Sequence, residues 1–78
     1  MKTRYWYQVA GRDLRLESDE IIAPWKQSER SWLRASAAAD NGMRAARFLC
    51  QQKSLIAAAV KVITTDGTIV REYRPLFY

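Results

Sequence analysis

Hydrophobic and polar residues alternate along residues 3–10, near the beginning of the chain. The alternation separates a tyrosine-rich side from a polar side: Tyr5, Tyr7 and Val9 against Arg4, Trp6 and Gln8. A period of two is typical of a β-strand that buries one face and exposes the other. The pattern therefore predicts a strand on which Trp6 is exposed beside Arg4.

A tight turn is predicted directly after this strand. Gly11-Arg12 suits a two-residue hairpin loop, because glycine at the first loop position adopts the positive φ that such loops need. Pairing Ala10 with Asp13 sets the register and brings residues of like polarity or opposite charge together. The resulting pairs are Val9 with Leu14, Tyr7 with Leu16, Gln8 with Arg15, Trp6 with Glu17 and Arg4 with Asp19.

A second hairpin is predicted near the end of the chain, where Asp66-Gly67 is a favoured type I′ turn. In that register Lys61 pairs with Glu72 and Ile63 pairs with Val70. The buried face then carries aliphatic side chains and one tyrosine: Ala58, Val60, Val62, Ile69 and Tyr73. A three-residue loop that ends in Gly67 would set Lys61 against Arg71, a repulsion that favours the tighter turn.

The segment between the hairpins has the period of a helix. Across Glu29–Gln52 apolar residues recur at three- and four-residue spacing, which predicts one amphipathic helix. They are Trp32, Ala35, Ala39, Met43, Ala46, Leu49 and Cys50. Ser28 is placed to cap the start, and Asp40-Asn41-Gly42 is the weakest step. Alternatively, residues 29–35 form a strand and the helix begins after Ser36; residues 37–52 are helical in both interpretations.

These elements predict an α+β fold for a single small domain over residues 1–78. The simplest arrangement is a four-stranded antiparallel sheet of two hairpins, with one helix packed on one face, in ββαββ order. Residues 19–27 contain Pro24 and are predicted to form an ordered connection. We expect Ile21, Ile22 and Trp25 of this connection to contact the core.

The composition argues against catalysis and metal binding. The 78 residues contain no histidine and one cysteine, Cys50, with neither a glycine-rich phosphate loop nor a metal-ligand spacing. We therefore expect no catalytic, cofactor or metal site, and a core position for Cys50. A lone cysteine fits a reducing compartment such as the cytoplasm. The absence of a signal peptide and of a run of about 18 apolar residues predicts a soluble protein without membrane contact.

The net charge of +5, with nine arginines among thirteen cations, favours nucleic acid or an acidic protein surface as the partner. The candidate binding residues are on two predicted surfaces: Arg4, Trp6 and Arg15 on the outward sheet face, and Arg30, Arg34, Arg44, Arg47 and Phe48 on the polar helix face. Arginine binds phosphate through paired hydrogen bonds, and aromatic rings stack on bases. Alternatively, Trp6 covers a neighbouring strand, packs under the C-terminal tail or closes a homodimer, and the helix face is solvated with Phe48 against the sheet edge.

The chain ends in an aromatic segment beside two arginines. The residues concerned are Arg71, Tyr73, Arg74, Phe77 and Tyr78. Chain termini are usually polar, so this segment predicts either a docking tail or dimer contact, or a last strand that continues and buries its end residues.

Three functions fit these observations. The first is a non-enzymatic cytoplasmic module that binds nucleic acid or a nucleoprotein. The second is a small inhibitor that docks on a host protein complex: in size, charge and lack of catalytic residues the chain is similar to small proteins of phages and mobile elements, such as anti-CRISPR inhibitors. The third is a homodimer whose apolar outer patches cover each other.

Overall fold

The computed structural model of the protein describes residues 2–15 and 21–78. Its elements are β1 (Tyr5–Arg12), β2 (Ile21–Gln27), α1 (Ala35–Lys53), β3 (Ala57–Thr64) and β4 (Ile69–Tyr73). The strands form one antiparallel sheet in the spatial order β2-β1-β3-β4. The predicted α+β class is confirmed, with the elements in ββαββ order along the chain. The two predicted hairpins do not by themselves give the spatial order, in which β1 and β3 form the centre.

The helix packs on the inner face of β1 and β3, and most of the side chains at its contact are small. Its buried residues are Ala38, Ala39, Gly42, Ala46 and Cys50. They face larger side chains of the sheet, among which Val9, Val60 and Val62 are almost completely buried. The alternation predicted for residues 3–10 is confirmed, since Tyr5 and Tyr7 pack on this same face.

Gly42 sets the distance between the helix and the sheet. A Cβ atom at this position would lie 2.9 Å from the Tyr7 Cβ and 2.9 Å from the Val60 Cγ1. Real Cβ atoms do not approach other atoms this closely, so only glycine fits without movement of the neighbours. The step Asp40-Asn41-Gly42, predicted to be the weakest of the helix, is therefore continuous helix held by tertiary packing.

The predicted turn at Gly11-Arg12 is wrong. Both residues lie in β1, where they pair with Ala58 and Ala57 of β3. The Arg12 Nε also donates a hydrogen bond of 2.9 Å to the Ala58 carbonyl. A turn here would break this ladder, so the strand continues. The chain turns two residues later, where the Asp13 carboxylate accepts a hydrogen bond of 2.9 Å from the Arg15 backbone N–H.

The strand that pairs with the outer edge of β1 is β2, which sequence analysis assigned to a connection. Gln8 pairs with Gln27 and Val9 with Lys26, so the predicted pairs of Gln8 with Arg15 and Val9 with Leu14 are wrong. The pairs predicted with Leu16, Glu17 and Asp19 involve residues outside the described part of the chain.

Pro24 does not prevent β2 from forming, because proline is tolerated on an edge strand. The register of β1 and β2 shifts between Val9 and Gly11, which is the level of the proline. Ile21 and Trp25 are 40% and 37% exposed and are not among the side chains packed against the core, so the expectation that they contact the core is wrong. The side chain of Ile22 lies outside the described residues.

The loop of the second hairpin has three residues, not two. The Gly67 N–H donates to the Thr64 carbonyl and the Thr64 N–H donates to the Thr68 carbonyl, both at 3.0 Å. Gly67 has a φ of 86°, the left-handed conformation that a glycine at the end of such a loop adopts. The prediction of a type I′ turn is therefore wrong.

A β-bulge corrects the register that this longer loop creates. Ile63 pairs with Ile69, whereas the next residue, Val62, pairs with Arg71, so β4 has one extra residue at this point. The shift places Lys61 opposite Glu72, as predicted, and avoids the repulsion between Lys61 and an arginine. The predicted pair of Ile63 with Val70 is wrong, and Ile69 shares the outer face with Ile63 and is exposed.

The helix begins at Ala35, later than the predicted start at Glu29 and two residues before the start at residue 37 in the alternative interpretation. Residues 29–34 form bends and a single β-bridge, in which the backbones of Trp32 and Tyr5 exchange two hydrogen bonds of 2.8 Å. Arg34 is the N-cap residue of α1 and makes no side-chain capping bond. Helix over residues 37–52 is confirmed.

Ser28, the residue after β2, is hydrogen-bonded to β1 and does not cap the helix. Its N–H donates to the Tyr7 carbonyl at 2.9 Å, and its hydroxyl accepts the Tyr7 N–H at 3.2 Å. The same hydroxyl donates to the Arg30 carbonyl at 2.7 Å. Ser28 therefore fixes the start of the segment that leads to α1.

The aromatic C-terminus continues the sheet beside the start of β3. The Ala58 N–H donates to the Pro75 carbonyl at 3.1 Å, and the Phe77 N–H donates to the Ile56 carbonyl at 2.6 Å. Phe77 packs against the core, while Tyr78 is 96% exposed. Phe77 thus follows the interpretation of a strand that continues.

We expect Gly42→Ala to destabilise the protein by about 1–3 kcal/mol, the usual cost of an overpacked core. At an exposed helix position the same change stabilises by roughly 0.5–1 kcal/mol, so the sign reports the close contact. Urea unfolding measures the difference. The exposed helix variant Gln51→Ala is the control and should stay within about 0.5 kcal/mol of the parent. A stabilised Gly42→Ala protein would contradict the packing.

We expect the second hairpin loop to depend on the charge of Asp66. Hydrogen bonds donated by the Thr64 hydroxyl and the Thr68 N–H lower the pKa of Asp66 from 3.8 to about 2. A lowered folded-state pKa stabilises above the unfolded pKa, and this contribution is lost as the pH falls through the folded pKa. Asp66→Asn keeps an acceptor without the charge. The Tm of the parent should exceed that of Asp66→Asn at pH 6 and converge with it towards pH 2; a gap independent of pH would contradict this.

Candidate binding groove between β2 and α1

An open groove of about 910 Å³ runs between β2 and α1. It exists because α1 packs over β1 and β3 and leaves β2 uncovered in the described part of the chain. Its apolar lining comes from three elements and the segment before the helix: Tyr7, Val9, Pro24, Trp32, Phe48 and Leu49. An apolar groove open to solvent suits an extended chain molecule better than an enclosed small ligand.

Positive charge predominates along the groove. Among the described lining residues, four are cationic and one is acidic: Lys26, Arg30, Arg44 and Lys53 against Glu29. All five side chains are exposed. A concave surface with one predominant sign of charge concentrates the electrostatic potential and attracts ligands of the opposite sign. The groove is therefore suited to an anion that also has apolar surface.

An aromatic stack lies at one end of the groove. The rings of Tyr7 and Trp32 stack with centroids 5.7 Å apart and planes 25° apart. The guanidinium of Arg30 lies over the Trp32 ring at 5.6 Å from its centroid. Tyr7 belongs to the sheet and Arg30 is exposed, so the guanidinium covers the indole from the solvent side.

Phe48 is the one aromatic residue of α1, and 60% of its surface is accessible. It lies one turn after Arg44, which places a cation and an apolar ring next to each other on the helix. The exposed phenyl ring contributes little to the core and forms part of the apolar lining of the groove.

The outward sheet surface predicted from Arg4, Trp6 and Arg15 is not assembled. Trp6 is half-buried. Arg4 is bound to Ser31 through a 2.6 Å bond to the hydroxyl and a 3.2 Å bond to the carbonyl. Arg15 follows the other end of β1, roughly 26 Å of strand away. There its hydrogen bonds, one of 2.7 Å, lower the pKa of Asp13 from 3.8 to about 2.

The predicted helix surface is assembled in part. Arg30 and Arg34 precede α1, so the prediction that they share a helix face with Arg44 is wrong. The structure nevertheless brings Arg30, Arg44 and Phe48 to one groove, because the segment before the helix returns to the sheet at Trp32.

The remaining two predicted residues lie elsewhere. Arg34 is not among the groove residues. Arg47 faces the opposite flank of α1, where its guanidinium lies 5.0 Å from the centroid of the Phe77 ring. Arg47 therefore shields the C-terminal segment and does not contribute to the groove.

The groove also contains three residues that the sequence did not predict as part of a binding surface, Pro24, Lys26 and Lys53. Because of Pro24, residues 19–27 were predicted to form a connection. Lys26 was therefore not recognised as a residue of a strand that lines the groove. The β-branched and aromatic residues of this segment, Ile21, Ile22 and Trp25, were the signal that could have identified this strand.

Cys50 is a core residue, as expected. Its side chain is buried, its Sγ donates a hydrogen bond of 3.3 Å to the Ala57 carbonyl, and burial raises the pKa of the thiol. A buried neutral thiol is unreactive. Within residues 2–15 and 21–78 no group of three or more acidic or cysteine side chains is placed to hold a metal ion.

We expect Phe48→Ala and Leu49→Ala to differ sharply in stability. Phe48 is exposed, so its truncation should change the free energy of unfolding by at most about 0.5 kcal/mol. The neighbouring Leu49 packs against the core, so its truncation should cost about 2 kcal/mol or more. Urea unfolding of both variants tests this. A large loss in Phe48→Ala would mean that the ring is structural.

Comparisons with known proteins give no match, so the groove is the basis for inferring function. No protein-family model, no curated protein and no solved structure matches the chain. Of the helices in the described residues, none has the length and apolar character needed to cross a membrane.

Proposed function

We propose that the protein is a non-enzymatic binding module that holds a segment of single-stranded nucleic acid in the groove. The observation that carries this proposal is the combination of four exposed cations with aromatic rings along one open groove. Cations bind the phosphates of such a strand, and aromatic rings stack on its bases irrespective of sequence. A duplex hides its bases in the helix stack, so the groove favours a strand with unpaired bases.

Both walls of the groove carry cations, and aromatic rings lie beside them. Lys26 on β2 and Arg44 on α1 lie on opposite sides and are exposed, as phosphate-binding groups must be. Phe48 and Trp32 supply the aromatic surface. The charge and the stacking surface thus face the same ligand.

An acidic peptide added as a further strand to β2 is the main competitor for this groove. Strand addition depends on a continuous row of backbone hydrogen bonds at the sheet edge. Pro24 has no N–H to donate, and the register shifts at this point of β2. Prolines and bulges are devices that block strand addition at an edge. The edge of β2 therefore favours nucleic acid over a peptide strand.

The proposal predicts binding to oligonucleotides that falls steeply with salt. We expect a labelled single-stranded 12-mer to bind at 50 mM salt and to dissociate towards 200 mM, with duplex of equal length binding more weakly. Lys26→Glu/Arg44→Glu should remove two phosphate contacts and make the slope of log K against log salt shallower by about 1.4. Fluorescence anisotropy measures both quantities.

Arg34→Glu/Arg71→Glu is the matched control, since both arginines are exposed and neither lines the groove. Each double variant lowers the net charge by four, from +5 to +1. Equal losses in the two variants would mean that binding follows net charge and not the groove. Absence of binding by the parent at 50 mM salt would contradict the proposal and favour the alternative of an inhibitor that docks on a protein complex.

A further inference from the structure

Trp32 is held more firmly than the arginine that covers it. Its backbone exchanges two hydrogen bonds of 2.8 Å with Tyr5, and its ring rests on Tyr7. The Arg30 carbonyl is fixed by the Ser28 hydroxyl, but its guanidinium is exposed and lies over the indole. The indole is therefore a preorganised flat surface, and the Arg30 side chain that lies over it is free to move away.

The contact between Arg30 and Trp32 resembles in shape the stacking of a base on an aromatic ring. A guanidinium is planar and can stack on an aromatic face as a base does, and the Arg30 Cζ lies 5.6 Å from the centroid of the Trp32 ring. At an exposed site, the contact of a cation with an aromatic ring changes an equilibrium by roughly 2- to 5-fold, less than the roughly 5- to 150-fold change from stacking one base on a ring. A base can therefore replace the guanidinium.

We propose that Trp32 is the stacking platform for one base of the bound strand and that Arg30 covers the platform until a base arrives. An arriving base displaces the Arg30 guanidinium from the indole, and the positive charge of Arg30 stays in the groove. The inference rests on the proposed function and assigns the base-binding position within it. Phe48, whose ring is already exposed, needs no such exchange.

The test compares a thymidine 12-mer with an abasic 12-mer, which keeps the phosphates and removes the bases. We expect the thymidine strand to bind at least roughly 5-fold more tightly, because one base on one aromatic ring contributes roughly 5- to 150-fold and Phe48 offers a second ring. In NMR spectra, the Arg30 Nε–H signal should lose the upfield shift caused by the indole ring, and the Trp32 indole N–H signal should move. The abasic strand should leave the Trp32 signal in place.

Arg30→Gln removes the cover and leaves the platform. We expect it to bind the abasic strand more weakly and to raise the affinity ratio of thymidine strand to abasic strand by roughly 2- to 5-fold, because no cation has to be displaced. Arg34→Gln, outside the groove, should change neither quantity.

The failures of the two proposals are distinguishable. Equal affinity for the thymidine and abasic strands, or an Arg30 signal that does not move when the thymidine strand binds, overturns the base platform while nucleic-acid binding stands. Absence of binding to either strand at 50 mM salt overturns both proposals.

Discussion

The close contact of Gly42 with the sheet is the constraint on which the other features depend. Because this residue has no side chain, the helix approaches until an added Cβ would lie 2.9 Å from Tyr7 and from Val60. The alanines around it, Ala38, Ala39 and Ala46, keep the same short separation along the helix. The helix is therefore fixed over the line where β1 and β3 meet.

One helix in this position cannot cover the whole sheet. A helix with its side chains is about 10 Å wide, whereas four strands at about 4.8 Å spacing span roughly 14 Å between the axes of the outer strands. On the β4 side, Tyr73 and Phe77 pack against the core and fill the remaining space. On the β2 side, the space is open and becomes the groove.

The groove combines charged groups with aromatic surface. Its charged groups are lysines, arginines and one glutamate. The aromatic surface is supported from behind, because Trp32 rests on Tyr7, a residue of the central strand. Fixed charge beside a rigid flat surface is the arrangement that proteins use for single strands.

The sequence by itself determined the elements whose pattern is local. The alternation of residues 3–10 and the helical period of residues 37–52 both follow from which face of an element is buried. It also predicted Arg30, Arg44 and Phe48 as candidate partner-binding residues, although it placed Arg30, which precedes α1, on the helix.

Only the tertiary structure decided where β1 ends, which segment pairs with its outer edge and what lies together at the groove. The local sequence favours a turn at Gly11-Arg12, but in the folded protein both residues pair with alanines of β3. The local sequence also favours a break at Pro24, but proline is tolerated there because β2 is an edge strand. Lys26 and Arg44 lie on opposite walls of the groove, because α1 packs over β1 and β3 and leaves β2 uncovered. These outcomes depend on contacts between residues far apart in the chain, which local periodicity does not encode.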